Sequence, residues 1–252
     1  MKDVAGASIV ITGGGSGIGE ATARWFADRG AKVTISGRRA DKVTAVAASL
    51  GSTCCPVVGD VTSGTDRTAL VAAAMAHGGK IGVLVNNAGN MLRKPIGAWT
   101  EADIATTFAG NVTAGMMLAQ EALPYLHASS GAIVFVSSVY TVRAYPGAAP
   151  YAATKGAIET LVKVLAAELG PSGVRVNAVR PGAVLTEINQ RAGVFTDEQA
   201  AARLASMANH HALGRIGTGE EVAEAIHFAA CAEWVTGAVI DIDGGLGLGI
   251  TV

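Results

Sequence analysis

Thr12-Gly13-Gly14-Gly15-Ser16-Gly17-Ile18-Gly19 ends the apolar run Ser8–Thr12 and opens a helical stretch from Gly17 to Asp28, which Gly30 stops. Glycines let a backbone turn tightly and approach a ligand closely, and the first turn of a helix presents unpaired N–H groups and a partial positive charge. A pyrophosphate is the group such a cradle suits. The spacing is Gly-x3-Gly-x-Gly rather than GxGxxG, and its place between strand and helix at the head of a βαβ unit lifts it above an ordinary flexible turn.

Outward from this turn, short β-rich runs alternate with Ala-rich helical stretches. Strands are expected at Ser8–Thr12, Lys32–Ser36, Thr53–Gly59, Val83–Asn86, Ala132–Ser137, Arg175–Arg180 and Val239–Ile242. Each is nearly all apolar rather than alternating, the pattern of parallel strands covered on both faces. Helices are expected from Ala40 to Leu50, ended by Gly51, and from Thr65 to His77, ended by Gly78 and Gly79. Thr218 and Glu221 have capping-box spacing for a late helix reaching about Ala230. With right-handed crossovers this repetition builds a doubly wound α/β sheet. No linker, repeat or low-complexity tract divides residues 1–252, so one domain is expected.

Composition narrows the function classes. With 19 Lys+Arg against 20 Asp+Glu the net charge is −1, which leaves no global field to hold nucleic acid or an anionic membrane. Mean hydropathy is +0.39, yet every long apolar run is interrupted before the roughly 18–20 residues a membrane span needs. Met1–Ile11 is basic and then apolar like a leader peptide, but Asp3 intrudes and glycines stand where a cleavage site would be, so it reads as the first strand. Cys54, Cys55 and Cys231 form no disulfide framework and suit a reducing, cytoplasmic location. The vicinal pair reads as small core residues of a buried strand. His210-His211 reads as a polar loop without metal-ligand spacing, and no GxSxG elbow supports a serine nucleophile. No metal is expected.

Further motifs follow the glycine turn in order: Asn86-Asn87-Ala88-Gly89, Asn111, Ser138, Tyr151-Ala152-Ala153-Thr154-Lys155, Pro181-Gly182 with Thr186, and Asp243-Gly244-Gly245. Together with the TGxxxGxG turn and the interval of thirteen from Ser138 to Tyr151, they make the chain resemble the short-chain dehydrogenase/reductase family, including its 3-oxoacyl-acyl-carrier-protein reductase-like members. The resemblance implies a Rossmann fold whose seven parallel strands run in the order 3-2-1-4-5-6-7 between two helical layers.

It also implies a nicotinamide dinucleotide. Gly13, Gly15, Ser16, Gly17, Ile18 and Gly19 would hold the pyrophosphate; Asp60 and Val61 would lie beside the adenine; Asn87, Ala88 and Gly89 would follow; Pro181, Gly182, Val184 and Thr186 would meet the nicotinamide end. A carboxylate ending the second strand would select NAD(H) by binding a ribose 2′-OH. Here Ser36-Gly37-Arg38-Arg39 stands instead, and Arg38 and Arg39 suit a 2′-phosphate. NADP(H) is therefore expected, with NAD(H) the alternative.

Tyr151 and Lys155, four apart, share a helix face, and an ammonium beside a phenol draws its ordinary pKa of about 10 toward neutrality. In the resemblance Tyr151 is the general acid/base, Ser138 hydrogen-bonds the substrate oxygen, Lys155 holds the nicotinamide ribose and tunes Tyr151, and Asn111 holds a water linked to Lys155. The activity implied is an NADP(H)-dependent carbonyl reductase or secondary-alcohol dehydrogenase acting on a small ketone or alcohol. An NAD-linked dehydrogenase of a polyol, sugar or steroid, a 3-oxoacyl-acyl-carrier-protein reductase, and a nucleotide-sensing binding protein without turnover are the alternatives. Met91, Tyr140, Arg143 and Tyr145 would line the substrate pocket, with a lid over about 186–213 that includes Phe195, Met207 and Leu213. The weakly charged stretches Ala114–Leu126 and Tyr151–Leu169, with the uncharged end Gly244–Val252, suggest buried subunit contacts and a homotetramer.

Overall fold

The computed structural model describes residues 3–184, 198–199, 202 and 206–249. Seven strands, β1 (Ser8–Thr12), β2 (Lys32–Gly37), β3 (Cys54–Val58), β4 (Val83–Asn86), β5 (Ala132–Val136), β6 (Arg175–Pro181) and β7 (Val239–Ile242), form one all-parallel sheet. The order is β3-β2-β1-β4-β5-β6-β7, as the resemblance implied. The connecting helices are α1 (Gly17–Ala27), α2 (Ala40–Leu50), α3 (Gly64–Gly78), α4 (Glu101–Phe108), α5 (Ala114–Ser129), α6 (Ala149–Leu169) and α7 (Gly219–Cys231).

Alternation along each strand divides the core between the two faces of the sheet. Ile9, Ile11, Val33 and Ile35 pack with Phe26 of α1 and Ile226 of α7, whereas Val10, Leu84, Ile133 and Phe135 pack with Leu70 of α3, Leu118 of α5 and Ile158 of α6. All five residues of β1 and of β5 are buried, which is why neither strand shows a polar face in the sequence.

The edge strands depart from the uniformly covered pattern. β3 has a half-exposed alternation ending in Val58, and β7 has no fully buried residue, because each has a neighbour on one side only. Cys54 is buried as expected, but Cys55 is only half-buried. Burial, reinforced by Cys55, pushes the Cys54 thiol up to about 11, away from the thiolate that redox chemistry needs.

The helix ends are chemically sound. Thr218 and Glu221 form the expected capping box on α7, and Thr100 with Asp103 forms a second on α4. Among the described residues no helix is long and apolar enough to cross a membrane.

Candidate active site

The strand order reverses between β1 and β4, so the crossovers diverge there and leave a crevice above the carboxyl ends of the strands. Two adjoining cavities, of about 140 and 360 Å³, both lined by Gly13, Ser16, Ala88 and Gly89, make this crevice a continuous trough.

The glycine turn forms its floor. Ser16 at the head of α1 makes no side-chain cap, so the first N–H groups of the helix remain available to a ligand. A Cβ on Gly19 would lie 2.2 Å from the Gly13 carbonyl oxygen and 2.6 Å from Asn87 Nδ2. The turn is held from both sides. Gly14 N–H donates to the Ser36 carbonyl at 2.9 Å, and the Thr12 hydroxyl accepts from the N–H groups of Asn87 (3.0 Å) and Ala88 (2.9 Å). The Asn87 side chain donates to the Thr12 carbonyl at 2.8 Å, so it braces the turn.

The larger cavity runs toward Gly37, Arg38, Arg39, Lys42, Asp60, Val61 and Thr62. Arg39 donates to the Ser16 hydroxyl at 2.9 Å, and Arg38 reaches Asp60 at 3.6 Å. Burial raises the Asp60 carboxyl, but hydrogen bonds from Thr62 and the Arg38 charge outweigh this and hold it below its ordinary value. This donor set, with an uncapped helix start and no side chain on Gly13 or Gly15, fits a dinucleotide diphosphate with the adenosine end beside the arginines.

The smaller cavity brings together Ser138, Tyr140, Tyr151, Lys155, Met91, Pro181, Gly182, Val184 and Met207. Ser138 follows β5, and Tyr151 and Lys155 stand one turn apart near the start of α6. Burial pushes Tyr151 up to about 12, against the lowering effects of the Ser138 hydrogen bond and the Arg93 charge. Burial likewise takes Lys155 down to about 8. The expected lowering of the phenol by the Lys155 ammonium is not found: burial raises Tyr151, and the groups that lower it are Ser138 and Arg93. Lys155 Nζ lies 5.5 Å from the Tyr151 ring centroid and donates to the Val136 carbonyl at 2.7 Å.

Asn111 sits in a π-helical turn, Ala109–Thr113, between α4 and α5. Its side chain accepts from Asn90 N–H at 2.7 Å and donates to the Asn90 carbonyl at 2.9 Å and to the Thr154 hydroxyl at 3.1 Å. A further cavity of about 10 Å³, close to the size of one water, lies among Asn86, Gly110, Asn111 and Lys155.

The expected pocket residues divide. Met91 and Tyr140 line the cavity. Tyr145 stacks on Tyr140 with ring centroids 4.2 Å apart, and the Arg143 guanidinium turns to the Leu246 carbonyl at 2.7 Å. Thr186, Phe195 and most of the expected lid lie outside the described residues. His211 is buried rather than a loop polar group: Nδ1 meets the Met207 carbonyl at 2.8 Å and Nε2 meets Ala183 N–H at 3.4 Å.

Three residues were not picked out from the sequence. Glu159 accepts from Ser137 (2.7 Å), Thr141 (2.8 Å) and Arg180 (2.9 and 2.8 Å), and Arg180 also pairs with Asp241 at 2.7 Å. Burial raises the Glu159 carboxyl, but these donors outweigh it and hold it low. One carboxylate thereby fastens the Ser138 turn, α6 and the strand leading to Pro181. Its signal was available, since Glu159 continues the Tyr151 and Lys155 face at intervals of four. Arg93 had no comparable signal.

A trough of this kind, with a tyrosine, serine and lysine at one end, defines a dinucleotide-dependent oxidoreductase fold. Residues 13–247 match the family model described as enoyl-(acyl carrier protein) reductase. A glucose 1-dehydrogenase of Gluconobacter oxydans is 36% identical over 252 residues, covering 97% of this chain and 93% of its own. Among solved structures, a short-chain dehydrogenase/reductase of unknown function from Caenorhabditis elegans, determined with cofactor, superposes with a TM-score of 0.93 at 31% identity, covering 99% of this chain and 98% of that one. A 3-ketoacyl-(acyl-carrier-protein) reductase from Brucella melitensis in complex with NADH gives 0.88 at 30% identity, covering 97% and 99%. The chain belongs to the short-chain dehydrogenase/reductase family of oxidoreductases.

Proposed function

We propose that this protein is an NADP(H)-dependent carbonyl reductase, or secondary-alcohol dehydrogenase, of small-to-medium substrates, with Tyr151 as its general acid/base. The observation that carries the reading is the meeting of Ser138, Tyr151 and Lys155 at one end of a trough whose floor is an uncapped helix start.

The residues that would hold the dinucleotide are Gly13, Ser16, Gly17 and Ile18 at the diphosphate, Arg38 and Arg39 at a ribose 2′-phosphate, and Lys155, Pro181, Gly182 and Val184 at the nicotinamide end. Bound there, the reduced nicotinamide supplies hydride to a carbonyl carbon. The Tyr151 hydroxyl donates its proton to the oxygen that gains the electron pair, and the Ser138 hydroxyl hydrogen-bonds the same oxygen. In the oxidation direction Tyr151 takes that proton back. Lys155, beside the phenol, stabilises its deprotonated form. A water held in the cavity between Asn111 and Lys155 would return a proton from solvent.

The preference for NADP(H) is supported by Arg38, Arg39 and Lys42 around the far end of the larger cavity, against Asp60 as its one carboxylate. Apolar residues left exposed on the helices, Ile104, Met116 and Val164, support a homotetramer. The single-domain and cytoplasmic readings belong to the same proposal. A panel of ketones and secondary alcohols assayed with NADPH, NADH, NADP+ and NAD+ tests it. NADPH-dependent reduction of a neutral ketone is expected. A clear preference for NADH defeats the cofactor assignment, and no turnover of any carbonyl or alcohol defeats the reaction.

A further inference from the structure

We infer that Arg93 is an anion subsite in the substrate pocket and that the preferred substrate is a ketone, or the matching secondary alcohol, that carries a carboxylate. This rests on the oxidoreductase reading above and adds the chemical class of the substrate to it.

Arg93 is presented by a segment fixed on both sides. Asn90 is bonded through its N–H and its carbonyl to Asn111. Lys94 donates its N–H to the Gly147 carbonyl at 2.9 Å and its ammonium to Asp103 at 2.6 Å, and the Trp99 indole donates to the Lys94 carbonyl at 2.8 Å. Arg93 stands between these anchors, so little backbone ordering remains to be spent when a ligand binds.

The guanidinium lies against Tyr140, with Cζ 5.6 Å from the ring centroid and Nη2 donating to the tyrosine hydroxyl. Tyr140 in turn meets Tyr151 edge to face at 5.3 Å and lines the cavity. Having accepted from Arg93, the Tyr140 hydroxyl keeps its own hydrogen to give. An oxygen anion there would meet a cation and an O–H donor side by side.

Nothing in the described protein neutralises this cation. Arg93 has no carboxylate within ion-pair distance among the described residues, and its Nε is buried with no hydrogen-bond partner. The surrounding cations among the described residues are otherwise engaged: Lys94 by Asp103, Arg143 by the Leu246 carbonyl, Lys155 by the Val136 carbonyl, Arg180 by Glu159 and Asp241. A half-buried, uncompensated guanidinium beside the reacting end is costly to the free protein, and a ligand anion would offset that cost. Among the described residues this leaves Arg93 as the cation at this end with neither a carboxylate nor a carbonyl partner, which matches a monoanion. A phosphate dianion would call for more than one.

The test is a set of acyclic and cyclic keto acids, each paired with its primary amide, assayed with NADPH on the wild type and on Arg93→Met and Arg93→Lys. For at least one skeleton the wild type is expected to favour the acid over the amide by about tenfold or more in kcat/KM, the range of a charge-assisted hydrogen bond. Arg93→Met should erase that preference by raising KM for the acid at least about tenfold more than for the amide, and should melt at the wild-type temperature; Arg93→Lys should keep part of the preference. Equal loss on acids and amides would assign Arg93 to tuning Tyr151 or to the fold, and overturn the inference. So would a wild type that reduces neutral ketones as well as every keto acid. If no ketone of either kind is reduced, the oxidoreductase reading itself fails and the inference falls with it.

Discussion

Lys155→Met should make the free protein more stable while disabling it. Lys155 is 5% exposed, and burial takes its ammonium from an ordinary 10.5 to about 8. At about 1.4 kcal/mol for each pKa unit, keeping that group charged at neutral pH costs the folded state roughly 3 kcal/mol. Methionine fills similar space without charge. It leaves the Val136 carbonyl without the 2.7 Å hydrogen bond from Lys155, a loss of about 1 kcal/mol. The net gain is about 2 kcal/mol, or some 4–8 °C in melting temperature for a chain of this size. The sign with pH is fixed by linkage. Below about pH 8 both states hold the proton and the folded protein carries the whole cost; from there up to 10.5 the unfolded state binds more protons, so wild-type stability rises with pH. Thermal melts without nucleotide at pH 7 and pH 9.5, at one protein concentration, measure this. The variant should melt higher at pH 7, the difference should shrink at pH 9.5, and turnover should fall by roughly a hundredfold or more. A variant that melts below the wild type at pH 7, or a difference that ignores pH, would refute the reasoning.

Other consequences can be read in the same preparations. Glu159→Gln keeps the shape of the clamp but removes the charge that Arg180 pairs with, so kcat should fall by about tenfold while the dissociation constant for NADPH, measured by fluorescence titration, stays within about threefold. Gly19→Ala would force a Cβ to 2.2 Å from the Gly13 carbonyl oxygen, and calorimetric titration should show NADPH binding weakened by at least about tenfold. Because burial holds the Tyr151 proton to about 12 in the free protein, ketone reduction should run level through neutral pH and fail only in alkali. Alcohol oxidation, which needs the phenolate, should rise with pH over the same range in steady-state profiles.

The sheet was legible because its interior strands have no choice of face. β1 and β5 are buried on both sides, and a strand so placed is written almost entirely in apolar residues. The same rule misjudged β3 and β7, whose exposed edges leave Val58 and Asp241 in solvent for reasons of position in the sheet that local sequence does not encode. In the site, Ser138, Tyr151 and Lys155 stood out because their spacing is set by one turn of helix and one strand end. Arg93 and the clamp around Glu159 depend on contacts between segments 47 residues apart for Arg93 and Tyr140, and 21 for Glu159 and Arg180. Arg143 shows the converse: adjacent in sequence to the active-site turn, it spans 103 residues to hold Leu246. The opposite displacements of Tyr151 and Lys155 arise from how completely the sheet and α6 enclose them, which spacing on a helix does not convey.

The most direct measurement is single-turnover reduction of an accepted ketone by NADPH in wild type and Tyr151→Phe. That exchange removes the proton donor and almost no volume. The variant should bind NADPH with the wild-type dissociation constant and reduce the ketone at least about a hundredfold more slowly at neutral pH. Wild-type reduction rates in Tyr151→Phe would contradict the assignment of Tyr151 as the acid and, with it, the account of this site.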